Sequence, residues 1–153
     1  MTKILMVCLG NICRSPLAEG ILKSKADSSE VFVDSAGTAG YHVGSLPDPR
    51  SIQVAQTHGI DLSDQRCRKF AQKDFKDFDT IFVMDKSNYA DVISMAKTPE
   101  EREKVKLLLE EVNLGISEVP DPYYGGTDGF EYIYGLIQQA CEAIIKKLKD
   151  GGK

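Results

Sequence analysis

A cysteine and an arginine separated by five residues form the part of this sequence best suited to chemistry. Cys8 and Arg14 lie between an apolar run and a segment that begins like a helix at Pro16. In a strand, tight loop and helix of this kind, successive backbone N–H groups can converge on one anion. A thiol at the strand end would meet the positive end of a helix dipole and a guanidinium, and both stabilise the thiolate. The loop therefore predicts a nucleophile and a phosphate cradle in one place.

The residues within this loop favour the same interpretation. Gly10 and Asn11 are residue types that readily adopt a positive φ, which a loop with inward-pointing amides requires. Ser15 is a candidate N-cap for a helix whose first residue is Pro16. Arg14 is expected to clamp two phosphate oxygens in a bidentate fork. The backbone amides expected to bind phosphate are those of Leu9, Gly10, Asn11, Ile12, Cys13 and Ser15.

Composition narrows the class of protein. The chain has 153 residues and a formal charge of −4, with no basic run that would indicate nucleic-acid binding. No apolar stretch approaches the roughly 20 residues needed to span a bilayer. The N-terminus does not resemble a signal peptide, so we expect a cytoplasmic protein that does not contact membranes. Residues 1–153 are expected to form one domain and a monomer.

The four cysteines are compatible with the expected cytoplasmic location. Their spacing offers no second pair of ligands beside Cys8 and Cys13, and a chain without a secretory marker gives no reason to expect a disulfide framework. We therefore expect no metal ion and no cofactor. Cys67 and Cys141 are interpreted as structural.

Strand-like and helix-like segments alternate along the chain, which favours an α/β fold with a parallel sheet covered on both faces. Strands are predicted at residues 3–7, 31–35, 79–84 and 105–109. Helices are predicted at residues 16–26, 50–58, 86–95, 99–104 and 130–149, with a short helical turn at 74–78. Gly59 is expected to cap the second helix.

The loop also resembles a known family. The string V-C-L-G-N-I-C-R-S-P at residues 7–16 is similar to that of the low-molecular-weight protein tyrosine phosphatases of bacterial type. Further matches follow in order, at V-D-S-A-G-T (33–38), H-G-I (58–60), M-D with Asn88 (84–88) and D-P-Y-Y-G (121–125). The resemblance covers essentially the whole chain. It implies a four-stranded flavodoxin-like sheet, whose ligands bind outside the carboxyl ends of the strands.

The resemblance implies a reaction as well. Cys8 would attack phosphorus and form a cysteinyl-phosphate, a route that needs no metal because the cradle supplies the charge compensation. Asp121 would protonate the departing phenolate and then activate the water that hydrolyses the intermediate. The substrate would be phosphotyrosine in a protein, in bacteria often a tyrosine kinase. The alternative for Asp121 is a turn residue before proline.

Aromatic residues are expected to line the cleft. Tyr123 and Tyr124 would form one wall and Tyr41 the opposite wall, giving a slot for a phosphotyrosine ring. The alternative is that Tyr123 and Tyr124 are ordinary surface aromatics. His58 is interpreted as a polar residue at a helix end, and Asp85 as architectural or as part of the cleft rim.

Three residues are expected to support the loop, by resemblance to the family. Asn11 and Ser35 would hold its shape by hydrogen bonds, and Ser15 would donate to the thiolate. Relatives often carry a histidine just after the serine of Leu62-Ser63, where this chain has Asp64, so the supporting network must differ here. In relatives, the residue equivalent to Cys13 forms a reversible disulfide with the nucleophile. The alternative for Cys13 is packing beneath the loop.

Three other functions share parts of this sequence pattern. Arginine phosphatases of the same fold typically carry threonine in place of Ile12 and D-P-F in place of D-P-Y, and isoleucine favours phosphotyrosine. Arsenate reductases of this fold need a closely spaced cysteine pair mid-chain, which Cys67 lacks. A non-catalytic phosphotyrosine-binding module would usually have lost Cys8 or Asp121, and both are present.

Overall fold

Four parallel strands form the central sheet of the computed structural model, which describes residues 1–122 and 127–151. The strand order is β2-β1-β3-β4. The strands are β1 Thr2–Cys8, β2 Val31–Gly37, β3 Thr80–Val83 and β4 Val105–Leu107. The central strand β1 pairs with both β2 and β3, so its carboxyl end, at Cys8, lies in the middle of one edge of the sheet.

Helices cover both faces of this sheet. They are α1 Arg14–Lys25, α2 Pro49–Thr57, α3 Asp74–Asp77, α4 Lys86–Met95, α5 Pro99–Glu103 and α6 Thr127–Lys149, with a 3-10 turn at Leu108–Glu111. Side chains of β1 alternate between the two cores: Ile4 and Met6 pack on the side of α1 and α6, and Leu5 and Val7 on the opposite side. Burial on both faces explains why β1 is a continuous apolar run. The predicted α/β class and parallel sheet are confirmed.

Several predicted boundaries need correction. Helix α1 begins at Arg14 rather than at Pro16, and its N-cap residue is Cys13, so the N-cap assigned to Ser15 is wrong. The Ser15 hydroxyl is engaged by Cys8 and Asn11 instead. Helix α6 begins at Thr127, three residues earlier than predicted. The apolar run after Val105 leaves the sheet at Leu107 and continues as the 3-10 turn.

Strand β2 continues two residues further than predicted, as far as Gly37. This extension brings it beside the loop that joins β1 to α1. Cys8 pairs with Gly37 in the register of β1 and β2. A Cβ at Gly37 would lie 2.8 Å from the Leu9 carbonyl oxygen and 3.0 Å from the Asn11 nitrogen. Only glycine therefore lets the loop after β1 pass this close to β2. None of the helices in the described ranges has the length and apolar character needed to cross a membrane.

Candidate active site

The loop between β1 and α1 surrounds the Cys8 sulfur with donors. Cys8 is the last residue of β1 and is only 3% exposed. The Ser15 hydroxyl oxygen lies 3.1 Å from Cys8 Sγ, and the Ser15 backbone N–H donates to the same sulfur at 3.5 Å. Arg14, the first residue of α1, places the helix N-terminus at the thiol. Hydrogen-bond donors and a helix N-terminus both stabilise a negative charge on sulfur.

Asn11 determines which way these hydrogen bonds run. Its backbone is left-handed, with φ at 57°, as expected for an asparagine in a curled loop. Its two Nδ2 hydrogens go to Ser15 Oγ at 2.8 Å and to Ser35 Oγ at 3.0 Å. Because Ser15 accepts from Asn11, its own hydroxyl proton is left to donate to Cys8. Ser35 donates its proton to Glu19 Oε1 at 2.6 Å, and burial raises the pKa of this carboxyl.

A short segment after α2 holds Asn11 from behind. The Arg68 backbone N–H donates to Asn11 Oδ1 at 2.9 Å, which fixes the orientation of the Asn11 amide. The Cys67 thiol donates to the Asn11 carbonyl oxygen at 2.8 Å. The Arg68 guanidinium is itself bound by Asp34 and by both carboxylate oxygens of Asp74, at 3.0 to 3.1 Å. These contacts make residues 67 and 68 a rigid support for the loop.

Asp64, the position at which the sequence indicated a different supporting network, is exposed to solvent. Among the described residues, the Asn11 side chain accepts from the Arg68 N–H and donates to Ser15 and Ser35. Ser35 in turn donates to Glu19. The expected difference from the network of relatives stays a prediction. Glu19 and Arg68 were not singled out from the sequence, because 16 and 57 residues separate them from their partners Ser35 and Asn11.

Arg14 is held rigidly beside the thiol. Its guanidinium is 3% exposed, and Nη1 donates to Asp85 Oδ2 at 2.7 Å and to the Val119 carbonyl oxygen at 2.9 Å. Burial by itself lowers the pKa of Arg14, but the neighbouring Cys8, Asp85 and Asp121 outweigh it and raise the pKa. The side chain therefore remains charged, and its orientation is fixed by Asp85 and the Val119 carbonyl oxygen.

Asp85 has two roles at once. Its Oδ1 accepts from the Asn88 backbone N–H at 2.8 Å and caps α4, while Oδ2 holds Arg14. Asp85 was predicted to be architectural or part of the cleft rim, and its contact with Arg14 was not predicted. The available signal was an acidic residue just after β3, at the same edge of the sheet as Cys8.

A cleft of about 250 Å³ opens over the loop. Asp121 and Tyr41 line it, and the Asp121 carboxylate is 45% exposed with Oδ2 at 3.9 Å from Arg14 Nη2. The predicted cleft residues Tyr123 and Tyr124 lie outside the described residues. The described residues that line the cleft are Cys8, Leu9, Gly10, Ile12, Cys13, Arg14, Tyr41, His42 and Asp121.

Comparisons with known proteins identify the family. Residues 3–153 match the model of the family described as low molecular weight phosphotyrosine protein phosphatase. The chain belongs to this family. The low molecular weight phosphotyrosine protein phosphatase of Schizosaccharomyces pombe is 44% identical over 157 residues, which cover 97% of this chain and 99% of the relative. The chain is accordingly a protein-tyrosine phosphatase, a hydrolase that acts on phosphotyrosine.

Solved structures agree with this assignment. The low molecular weight protein-tyrosine-phosphatase YfkJ of Bacillus subtilis superimposes with a TM-score of 0.91 at 35% identity, over 100% of this phosphatase and 98% of YfkJ. A Drosophila protein described as an arginine phosphatase superimposes with a TM-score of 0.87 at 36% identity, over 97% and 98% of the two chains. The fold is thus common to proteins described by two different substrates.

His42 is a cleft residue of this phosphatase that the sequence analysis did not select. A Cβ at Gly10 would lie 3.2 Å from His42 Cδ2, so the imidazole packs directly over the loop glycine. The ring also meets Tyr41 edge-on, with centroids 6.4 Å apart. His42 lies in the loop between β2 and α2, and nothing in the neighbouring sequence indicated its contact with Gly10.

The other thiols of the phosphatase differ from Cys8 in their surroundings. Burial, followed by the charge of Asp48, raises the pKa of Cys13 to about 12. Burial raises the pKa of Cys67 to about 11 and that of Cys141 to about 12. These three thiols are protonated at neutral pH and therefore poor nucleophiles. The disulfide between Cys8 and Cys13 stays a prediction.

His58 lies at the C-terminal end of α2, next to Gly59 with its φ of +80°. Its Nε2 is 3.0 Å from Glu131 Oε1, and its ring stacks on Tyr134 with centroids 3.9 Å apart. These contacts join α2 to α6. Across residues 1–122 and 127–151, no group of three or more His, Cys, Asp or Glu side chains is arranged to hold a metal ion.

Proposed function

We propose that the phosphatase hydrolyses phosphotyrosine through a cysteinyl-phosphate on Cys8, without a metal ion. The observation that carries this proposal is the 3.1 Å contact between Ser15 Oγ and Cys8 Sγ, with the serine proton directed at sulfur by Asn11. A sulfur that receives this proton donor, a backbone N–H and a helix N-terminus is stabilised as a thiolate. A thiolate at the base of a cleft is suited to attack phosphorus.

In the first step, Cys8 Sγ forms a bond to phosphorus as the bond from phosphorus to the phenolic oxygen breaks. The amides of the loop and the Arg14 fork bind the three equatorial oxygens, on which charge accumulates in the transition state. The carboxylic acid of Asp121 gives its proton to the departing phenolate. This role is supported by the position of Asp121, which lines the same cleft as Cys8.

In the second step, water replaces sulfur on phosphorus. The Asp121 carboxylate takes a proton from this water, so that the same group serves as acid and then as base. The thiolate leaves as phosphate forms, and the Ser15 hydroxyl stabilises the charge that returns to sulfur. Over the whole cycle, one phosphate ester and one water are converted into one phenol and one inorganic phosphate.

The substrate class rests on the walls of the cleft. Tyr41 offers an aromatic face to a phenyl ring, and Ile12 lines the cleft with an apolar side chain. Isoleucine has no hydroxyl with which to orient water toward a phosphoramidate, and this favours phosphotyrosine over phosphoarginine. A phosphorylated protein, such as a tyrosine kinase, is the proposed partner.

The test compares two peptides of one sequence, one with phosphotyrosine and one with phosphoarginine, with EDTA present throughout. We expect phosphate release from the phosphotyrosine peptide at a rate that EDTA does not change, and at least about tenfold less from phosphoarginine. A preference for phosphoarginine would overturn the weight placed on Ile12. Loss of activity in EDTA that Mg²⁺ or Zn²⁺ restores would overturn the metal-independent mechanism.

Asp121→Asn tests the assigned general acid. The amide keeps the size of the side chain but cannot donate a carboxylic proton, so kcat/KM for a phosphotyrosine peptide should fall about 10²- to 10³-fold. The loss should be much smaller for p-nitrophenyl phosphate, because p-nitrophenolate leaves readily without a proton. Equal losses for both substrates would contradict the role of Asp121 as acid. An unchanged melting temperature serves as the control for folding.

A further inference from the structure

Several carbonyl oxygens of the loop between β1 and α1 accept hydrogen bonds from residues outside the loop. Three of them accept from backbone N–H groups: Cys8 from Thr38 at 3.0 Å, Leu9 from Ala39 at 2.9 Å and Ile12 from Asp48 at 2.8 Å. In a planar trans peptide, a carbonyl and the N–H of the next residue point in opposite directions. Each of these hydrogen bonds therefore turns the following loop N–H away from the surrounding backbone.

The Asn11 carbonyl oxygen is held differently, by a side chain. It accepts from the Cys67 thiol at 2.8 Å. Asn11 is also the only non-glycine residue in the described ranges with a positive φ, so the peptide that follows it is turned relative to its neighbours. The Arg68 N–H fixes the side-chain oxygen of the same residue at 2.9 Å. Of the two residues that hold Asn11 in this way, Cys67 acts on the peptide that leads to Ile12.

The Cys67 thiol is suited to act as a fixed donor. It is 4% exposed, and burial raises its pKa to about 11, so the sulfur keeps its proton at neutral pH. Two bonds of 2.8 Å fix its backbone, from the Cys67 N–H to the Ser45 carbonyl oxygen and from the Gly44 N–H to the Cys67 carbonyl oxygen. The Leu46 carbonyl oxygen lies farther from the sulfur, at 3.8 Å. The thiol proton is therefore best placed for Asn11.

The peptide between Asn11 and Ile12 joins this support to the cleft. Ile12 lines the cleft together with Cys8, whereas Cys67 is not among the described residues that line it. The Ile12 N–H points away from the Asn11 carbonyl oxygen, and hence away from Cys67. An anion beside the Cys8 sulfur can accept from an N–H directed in this way.

We propose that Cys67 is a positioning residue, whose S–H group aims the Ile12 N–H at the phosphate by holding the Asn11 carbonyl oxygen. The proposal rests on the proposed function, in which amides of this loop bind the equatorial oxygens of the phosphoryl group. Donors that are already oriented stabilise the transition state because they do not have to reorganise during the reaction. The position therefore requires a hydrogen-bond donor, and not only a side chain that fills space.

The experiment separates the donor from the size of the side chain. Cys67→Ala and Cys67→Val are smaller and larger than cysteine, and both lack a donor, whereas Cys67→Ser keeps one. Cys141→Ala removes a buried thiol that lies between α1 and α6 and serves as the matched control. For each protein, we would measure kcat/KM on a phosphotyrosine peptide and the inhibition constants of inorganic phosphate and orthovanadate. The rate at which iodoacetamide, a neutral reagent, alkylates Cys8 at neutral pH reports on the thiolate separately, and thermal melts verify folding.

Loss of a whole donor to the transition state costs about 10²- to 10³-fold in kcat, and a donor that is only misdirected should cost less. We therefore expect kcat/KM to fall about tenfold in Cys67→Ala and in Cys67→Val. The inhibition constant of orthovanadate, whose adduct with a thiolate resembles the transition state, should rise more than that of inorganic phosphate. The alkylation rate of Cys8 should stay at the wild-type value. Cys67→Ser and Cys141→Ala should keep wild-type kinetics.

Three results would overturn the proposal. Wild-type constants in Cys67→Ala or Cys67→Val would show that the donor is not needed, and equal losses in Cys67→Ser would show that packing is what matters. A parallel fall in the alkylation rate would assign the effect to the thiolate instead of the Ile12 N–H. If the wild type releases no phosphate from phosphotyrosine, the proposed function fails. Calorimetric titration of the wild type and Cys67→Ala with inorganic phosphate then tests Cys67 by itself, and equal affinities would refute its role.

Discussion

Cys8→Ser is expected to lower kcat/KM for phosphotyrosine by at least about 10⁴-fold. The serine hydroxyl is not ionised at neutral pH, so the donors around this position have no anion to stabilise. Within the described part of the chain, the donors to Cys8 Sγ are the Ser15 hydroxyl and the Ser15 backbone N–H, and neither is a base that could deprotonate a serine at this position. The variant should nevertheless bind phosphotyrosine peptides, since the amides and Arg14 are unchanged. Steady-state kinetics and peptide binding measure the two effects.

Cys141→Ser is the matched control, because Cys141 is a fully buried thiol that packs between α1 and α6. It should keep wild-type kinetics. In the wild type, iodoacetate at neutral pH should label Cys8 and leave Cys13, Cys67 and Cys141 unmodified, since burial raises the pKa of each of these three thiols. Full activity in Cys8→Ser, or prior labelling of another cysteine, would refute the assignment of the nucleophile.

Arg14→Lys is expected to cost about 10³-fold in kcat, although it preserves the positive charge. An ammonium cannot donate a bidentate fork to two phosphate oxygens and also reach Asp85 and the Val119 carbonyl oxygen, which now share Nη1. The variant loses the bidentate contact that stabilises the transition state, whereas its positive charge still attracts the substrate. We therefore expect KM to change much less than kcat.

Asp85→Asn keeps Arg14 but weakens the contact that holds it in position, so the variant measures how much activity depends on that positioning. The amide oxygen can still accept from the Arg14 Nη1, but the charge that faces the guanidinium is removed. We expect a smaller loss of kcat than in Arg14→Lys, about tenfold. Arg14→Lys with kcat within tenfold of the wild type would show that charge alone suffices. Inhibition by inorganic phosphate provides a second measure of how well each variant forms the cradle.

Local signals in the sequence were sufficient for most of the elements and for the centre of the site. The apolar run of β1, Gly59 and the segment Lys86–Met95 predicted a strand, a helix end and a helix that the structure contains. These features depend on residues a few positions apart, which is the range over which propensity and capping act. The loop string from Cys8 to Ser15 belongs to the same class, because the contacts of the Ser15 hydroxyl and backbone N–H with Cys8 Sγ join residues only seven positions apart.

The start of α1 shows where local signals fail. Ser15 followed by Pro16 has the pattern of an N-cap and first helical residue, yet the helix already begins at Arg14. The Ser15 hydroxyl is committed to Cys8, seven residues away, and to Asn11. A tertiary requirement therefore outweighs the intrinsic preference for capping.

The sequence by itself determined the family of the protein and which residues are candidates for nucleophile, phosphate clamp and acid, namely Cys8, Arg14 and Asp121. Only the tertiary structure decided how these groups are held. Arg14 and Asp85 are 71 residues apart, Asn11 and Arg68 are 57 apart, and the Asn11–Ser35 bond joins residues 24 apart. Asn11, Ser35 and Asp85 meet because parallel strands bring their carboxyl ends to one edge of the sheet, in an order that sequence position alone does not specify. Arg68 is brought to the same edge by the bridge between Gly37 and Lys69.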